Sequence, residues 1–252
     1  MSSYDNERKV YQGVKLPYPY PLDSFIGEEL VKALDKTPNR IIQINHDEQV
    51  TYTCKDVKLA SIKIAKHLIK LKINSDDDIV GLICRNSSHI LPVIYGSIIA
   101  GAPVNPLHVS FEKNEIATLF SKTKPKIVFC DFDVYEVTRE ALNEIESDAL
   151  IYTTVKKIPG VNFVGDLLEE IDDEEEFVPP KFPGGVTKKI VAVMWSSGTT
   201  GLCKGCVIPH SYPLAMTREK GLPMPYKSFN FSPAFWGTGA LGLLLAAFHP
   251  NE

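Results

Sequence analysis

The residues with most chemical potential lie between positions 190 and 210. A β-branched and aromatic run, Ile190 to Trp195, reads as a buried strand that delivers the chain into Ser196-Ser197-Gly198-Thr199-Thr200-Gly201-Leu202-Cys203-Lys204-Gly205. Glycines at 198, 201 and 205 tolerate positive backbone dihedrals, so consecutive N–H groups can turn into one concavity. Hydroxyls at 196, 197, 199 and 200 add donors, and Lys204 adds a compact positive charge. Such a loop suits a polyphosphate; the alternative is an ordinary flexible Gly/Ser/Thr connection. A Walker A loop would need glycine just before the lysine and Ser or Thr just after it, where this chain has Cys203 and Gly205. The dinucleotide fingerprint fails too, because the glycine spacing is wrong and the segment that follows, Cys206 to Pro209, reads as a strand rather than a helix. Cys203 and Cys206 form a C-x-x-C, a possible redox pair or half of a zinc site. No second C-x-x-C or suitable histidine pair accompanies it, and it does not open a predicted helix. His210, after Pro209, reads as a satisfied structural histidine in preference to a catalytic base.

These residues need a frame, and the chain upstream supplies one. Residues 1–21 read as an irregular lead-in, with Pro17, Pro19 and Pro21 disfavouring helix. An amphipathic helix is predicted from Asp23 to about Asp35, then a strand pair, IIQIN and VTYTC, around the turn His46-Asp47-Glu48. Thr53, three residues before Asp56, has the spacing of a capping box at the start of a helix carrying Val57, Ala60, Ile64, Leu68 and Leu71. From Asp78 to Val155, strand-like runs (78–84, 103–107, 126–131, 149–155) alternate with helical ones (89–100, 111–121, 134–145). That alternation predicts an α/β protein with mostly parallel sheets covered by helices. The boundaries expected are an α/β subdomain over 22–157, an acidic and Pro/Gly-rich linker over 158–188, and the start of a second α/β subdomain over 189–252. The run Asp172 to Glu176 reads as solvated linker rather than a metal or partner site, since contiguous like charges repel and calcium-loop spacing is absent.

The segment SSGTTGLCKG resembles the phosphate-binding signature of the adenylate-forming enzymes, the acyl-CoA synthetases, 4-coumarate-CoA ligases and beetle luciferases. The segments VGLICRNSSHILPVIYGSIIAGAPVNPLH, FEKNEIATLFSKTKPKIVFCD and INHDEQVTYTCKDV extend the similarity to roughly Tyr20–Phe248. The resemblance implies an incomplete N-terminal domain of the adenylate-forming fold. It implies ATP-dependent activation of a carboxylic acid, fatty or aromatic, to an acyl-adenylate that is passed to coenzyme A. It assigns ATP phosphates to Ser196, Ser197, Gly198, Thr199, Thr200, Gly201 and Lys204, with Lys204 also catalytic. Mg2+ would bridge phosphate oxygens, with no protein metal-ligand set. The acyl pocket would begin at Phe235, Trp236 and Gly237 within SPAFWGTGALGLLLAAF. Cys203 stands where the family has proline, and Phe235-Trp236 where beetle luciferases have a histidine pair, so light emission is not expected. Trp236 is either a pocket wall or a plain core aromatic. A chain stopping at Glu252 would lack the family's adenine-binding loop, ribose-binding aspartate and C-terminal domain. It would be inactive alone and leave Ala240–Phe248 poorly covered. The other readings are a catalytically silent nucleotide- or acyl-binding regulatory module, and a thiol-disulfide protein.

Composition sets outer bounds. The 252 residues are 44% hydrophobic and 23% charged, enough to build a sizeable core. With 27 basic and 31 acidic residues the formal charge is -4, which gives no electrostatic reason to expect nucleic acid. The five cysteines are odd in number and scattered, unlike a secreted disulfide framework, and Cys54, Cys84 and Cys130 read as core residues. The polar N-terminus lacks a signal-peptide core and no apolar stretch reaches a bilayer-spanning length, so a cytoplasmic location is expected. Relatives in the family are often peroxisomal, but Asn251-Glu252 matches no peroxisomal address.

Overall fold

The computed structural model describes residues 3–12, 20–21, 24–169, 177–182, 188–196, 203–217 and 228–248. Its centre is a seven-stranded sheet built from β5 (Val80–Ile83), β6 (Val104–Pro106), β7 (Ile127–Asp131), β8 (Leu150–Thr154), β9 (Asn162–Phe163), β10 (Ile190–Ser196) and β11 (Lys204–Pro209). The order across the sheet is β11-β10-β6-β5-β7-β8-β9, and every pair is parallel except β10–β11. The expected α/β class is therefore present, and the sheet is continuous across residues 158–188. Residues 162–169, inside the stretch read as linker, supply β9 and the helix that follows it. The acidic run 172–176 lies outside the described residues.

Both faces of the sheet are buried, as parallel strands require. Side chains alternate along each strand, so Val80 and Leu82 of β5 with Ile127 and Phe129 of β7 join one core cluster. Ile83, Val128 and Cys130 join the other. The first cluster is covered by α1 (Ile26–Lys36), α2 (Cys54–Lys70) and α3 (Ile90–Ala100); the second by α4 (Lys113–Thr123) and α5 (Tyr135–Glu144). A short helix, α6 (Val164–Glu169), adds Val164 and Leu167 to the first.

Local chemistry explains several boundaries. The Thr53 side chain accepts from Asp56 N–H while Asp56 accepts from Thr53 N–H, so the expected capping box opens α2. β3 (Ile41–Asn45) and β4 (Val50–Thr53) pair as the antiparallel hairpin expected from IIQIN and VTYTC. Helix α1 begins three residues later than expected, at Ile26, after Ser24 N–H closes a turn onto Pro21 O. Helix α3 is buried at every position, and Gly96 lets it lie against α2: a Cβ there would sit 2.5 Å from Ile64 Cβ and 2.7 Å from Ser61 O.

Two regions differ from expectation. Within the lead-in read as irregular, β1 (Ser3–Asp5) and β2 (Val10–Gln12) pair antiparallel. Asp5 Oδ1 accepts from the N–H groups of Glu7 and Arg8, and the rings of Tyr4 and Tyr11 meet 4.8 Å apart. At the other end lie α7 (Ser211–Met216), α8 (Gly237–Leu245) and a 3-10 turn over Ala246–Phe248. This last apolar stretch is not left open. Leu244, Leu245 and Ala247 are buried, Tyr95 of α3 donates to Leu243 O and accepts from Ala247 N–H, and Arg40 donates to Ala246 O and Ala247 O. The surface expected to need an absent partner is covered by α1 and α3 of the same unit. Among the described residues no helix is long and apolar enough to cross a membrane.

Candidate functional site

Strand β10 is parallel to β6 and delivers its carboxyl end, Trp195-Ser196, to the same edge of the sheet as the carboxyl ends of β5, β6 and β7. β11 returns antiparallel, with Met194 opposite Cys206, Trp195 opposite Gly205 and Ser196 opposite Lys204. The strand thus starts at Lys204, two residues earlier than the sequence suggested, because ladder pairing continues to the base of the loop. Ser196 and Lys204 form that base. Both are exposed, Ser196 Oγ donates to Lys204 O at 3.3 Å, and among the described residues the Lys204 ammonium pairs with no carboxylate. Ser197, Gly198, Thr199, Thr200 and Gly201 lie outside the described residues. Gly205 has a packing role: a Cβ there would meet the Trp195 ring at 3.3 Å. That ring packs toward α4, with Lys122 Nζ 5.7 Å from its centroid.

The edge has a topological break. From β5 the chain crosses through α3 to β6 on one side; from β6 it returns through α4 to β7 on the other, so the crossovers diverge beside β5. Crevices at such points are where open α/β sheets bind ligands. Here Asp131, at the end of β7 with a side chain 4% exposed, accepts from Arg85 N–H at 3.0 Å, Arg85 Nη1 at 2.9 Å and Thr154 Oγ1 at 2.8 Å. Arg85 also reaches Asp133 at 2.9 Å. Next to this knot Lys156 N–H donates to Thr154 O, closing a tight turn around Val155 at φ 64°, and the Val155 N–H is held by His89 Nδ1 at 3.0 Å. Burial pushes the His89 imidazole down, which favours the neutral ring that this acceptance needs.

A cleft of about 910 Å³ opens along the same edge, walled by Arg85 and Asn86 after β5, Leu107 and His108 after β6, Ile44 from β3, and Phe229 with Phe231 opposite. Asn86 Nδ2 donates to Asn230 O and Ser232 O, tying the far wall to the sheet. None of these lining residues was singled out from the sequence. The available signal was positional, namely the residues just past the carboxyl ends of predicted parallel strands. Phe235 lies behind His108, edge-on at 5.6 Å, and 5.3 Å from Phe111; Trp236 is 56% exposed beside it, 5.3 Å from the Phe235 ring. Gly237 opens α8 with free space where a Cβ would stand, whereas at Gly239 a Cβ would lie 2.2 Å from Pro233 O. No hydrogen bond or ring contact among the described residues joins Phe235–Gly237 to Ser196 or Lys204. Their common support is β6, which neighbours β10 in the sheet and leads into His108.

The remaining candidates resolve as structural. Cys203 packs with Trp195 against the α4 side while Cys206 is exposed, dividing the C-x-x-C between core and solvent. Burial drives the Cys84 thiol well up and that of Cys130 to about 12, as suits core residues. Among the described residues no cluster of His, Cys, Asp and Glu could hold a metal ion. His210 is 1% exposed, stacks on Phe25 at 5.1 Å, accepts from Ile26 N–H at Nδ1 and meets Ile190 O through Nε2 at 3.1 Å, so it is a neutral tether between α1 and β10. Burial lowers its pKa to about 4. The unfolded chain takes up this proton near 6.5 and the folded one only near 4, so stability falls as the pH drops through that window. The loss from this group approaches about 3 kcal/mol at its acid end. Urea midpoints measured from pH 7.5 to 4.5 should fall more steeply for the natural protein than for His210→Phe, which keeps the ring stack and cannot ionise; equal slopes would remove His210 as a cause.

Comparison with known proteins supplies the remaining facts. The AMP-binding enzyme family profile matches residues 30–249. Over 215 residues the chain is 27% identical to luciferin 4-monooxygenase of Photinus pyralis, covering 78% of this chain and 37% of that protein. It is 28% identical over 203 residues to the peroxisomal benzoate–CoA ligase of Arabidopsis thaliana, covering 71% and 35%. The luciferase-like enzyme of the nonluminescent Zophobas morio mealworm superposes with a TM-score of 0.78 at 24% identity, over 91% of this chain and 54% of that one. The chain spans little more than a third of these curated relatives. With a profile match over most of its length, and with the sheet, hairpin and crevice described above, the chain belongs to the family of AMP-binding enzymes.

Proposed function

We propose that this chain supplies the triphosphate-gripping part of an ATP-dependent acid-activating ligase, which converts a carboxylic acid to an acyl-adenylate and then to a coenzyme A thioester. The observation that carries the reading is the β10–β11 hairpin. It brings Ser196 and Lys204 together, exposed and, among the described residues, without a carboxylate partner for the ammonium, at the edge of the sheet where ligands of α/β folds bind. A carboxylate is a poor electrophile, and transfer to AMP gives it a good leaving group. The protein's task is to hold the triphosphate while negative charge collects on the departing pyrophosphate. Lys204 would meet that charge as a fixed cation, and the hydroxyl and amide donors of 196–201 would surround the β and γ phosphates. Mg2+ bound together with the nucleotide would supply charge neutralisation. The acid would enter along the aromatic wall near Phe235, Trp236 and Gly237, beside the cleft at the ends of β5 and β6. Coenzyme A as acyl acceptor is proposed from the ligase relatives.

Lys204→Ala should weaken ATP binding about tenfold, the value of one charge-assisted contact, in a calorimetric or fluorescence titration. Unchanged affinity would remove the assigned role. Isotope exchange between pyrophosphate and ATP, dependent on an added fatty or aromatic acid, separates an activating enzyme from a module that only binds nucleotide.

A further inference from the structure

Asn105 is a fully buried polar residue in the short central strand β6, where burial of an amide costs free energy unless each group is paired. Its Nδ2 donates to Val193 O of β10 at 2.9 Å, and its Oδ1 accepts from Thr123 Oγ1, at the last residue of α4, at 2.8 Å. The main-chain ladder between β6 and β10 has a single register pair, Ala192 with Val104, and β6 ends at Pro106, which has no N–H to offer. The Asn105 amide therefore ties β6 to β10 one residue beyond that single register pair, on the side leading to Ser196. Among the described residues, Met194, Trp195 and Ser196 have their register partners in β11. The Val193 carbonyl, which can only accept, settles which way the amide faces, and the Thr123 hydroxyl then donates to the Oδ1 that this orientation turns toward α4.

We propose that Asn105, anchored through its Oδ1 by the Thr123 hydroxyl, is a positioning residue for the phosphate-binding hairpin. By fixing β10 at Val193 it determines where Ser196 and Lys204 present their donors. The functional half of this inference rests on the nucleotide-binding reading above; the positional half does not. Main-chain amides of 194–196 and 204–206 should exchange with solvent at least tenfold faster in Asn105→Leu, which keeps similar bulk without hydrogen-bonding groups, while amides of β5 and β7 stay within about twofold. Thr123→Val should give the same local pattern with a smaller rise, and Thr123→Ser, which keeps the hydroxyl, should exchange like the natural protein. Should Asn105→Leu fail to fold, the two Thr123 variants decide alone. ATP affinity should fall about fivefold in Thr123→Val and stay unchanged in Thr123→Ser. Acceleration spread evenly over β5, β7 and β10, or natural exchange at 194–196 in Thr123→Val, would overturn the positioning role. Absence of ATP binding by the natural protein would overturn the nucleotide reading and its functional half, while the exchange pattern still decides whether Asn105 holds the hairpin.

Discussion

Gly96→Ala is expected to destabilise the protein by about 3 kcal/mol, against the ordinary preference of helices for alanine. In an isolated helix the change would help by about 1 kcal/mol, since glycine has the larger backbone entropy to lose. Here the added methyl carbon would stand 2.5 Å from Ile64 Cβ, 2.7 Å from Ile64 Cγ2 and 2.7 Å from Ser61 O. Ser61 O belongs to the α2 backbone and cannot rotate away, so α2 and α3 must separate and unpack the side chains between them. Separation would also disturb Tyr95, next along α3, whose hydroxyl ties down Leu243 and Ala247. Chemical denaturation should show the midpoint falling while the slope stays constant, and Gly96→Val should fall further or yield insoluble protein. A midpoint at or above the natural value for Gly96→Ala would mean that α2 and α3 do not approach this closely.

Asp131→Ala should cost about 2–3 kcal/mol, the penalty for leaving buried hydrogen-bond donors without their acceptor. The carboxylate is 4% exposed and serves the Arg85 main-chain N–H, the Arg85 guanidinium and the Thr154 hydroxyl, joining the ends of β5, β7 and β8. Its removal leaves the Arg85 N–H and the Thr154 hydroxyl without this acceptor, although the guanidinium keeps Asp133. Asp131→Asn should recover only part of the loss, because the amide carries no charge to meet the Arg85 guanidinium and has one acceptor oxygen for three donors. If both variants unfold at the natural urea concentration, the knot does not hold the three strands together.

The sequence made visible what is encoded locally. The capping box is a three-residue spacing, Thr53 to Asp56; the β3–β4 hairpin is two apolar runs about a polar turn; and β10 is a β-branched run ending in Trp195. Each appears in the structure with nearly the expected limits. The burial of Cys54, Cys84 and Cys130 and the structural part played by His210 were also legible, because no chemical companions stood at useful spacing. What stayed hidden depends on strand order. Arg85, His108 and Phe229 line one cleft because β5 and β6 are neighbours with carboxyl ends on the same edge, and adjacency in a sheet is set by crossover direction rather than by local pattern. Asn105 escaped notice for a similar reason: its partners, Val193 and Thr123, lie far from it along the chain and meet it only once the sheet has formed. The cover over Ala240–Phe248 comes from Arg40 and Tyr95, two residues whose sequence contexts give no hint of a distant carbonyl.

Because Ser196 and Lys204 are already cross-strand partners, the two ends of the intervening stretch are brought together by the ladder and not by that stretch itself. The entropy of closing the loop is therefore largely met by the hairpin, and it grows only slowly with added length. A ligand preference set between these two strand ends is free to drift in evolution while the paired register beneath it stays constant.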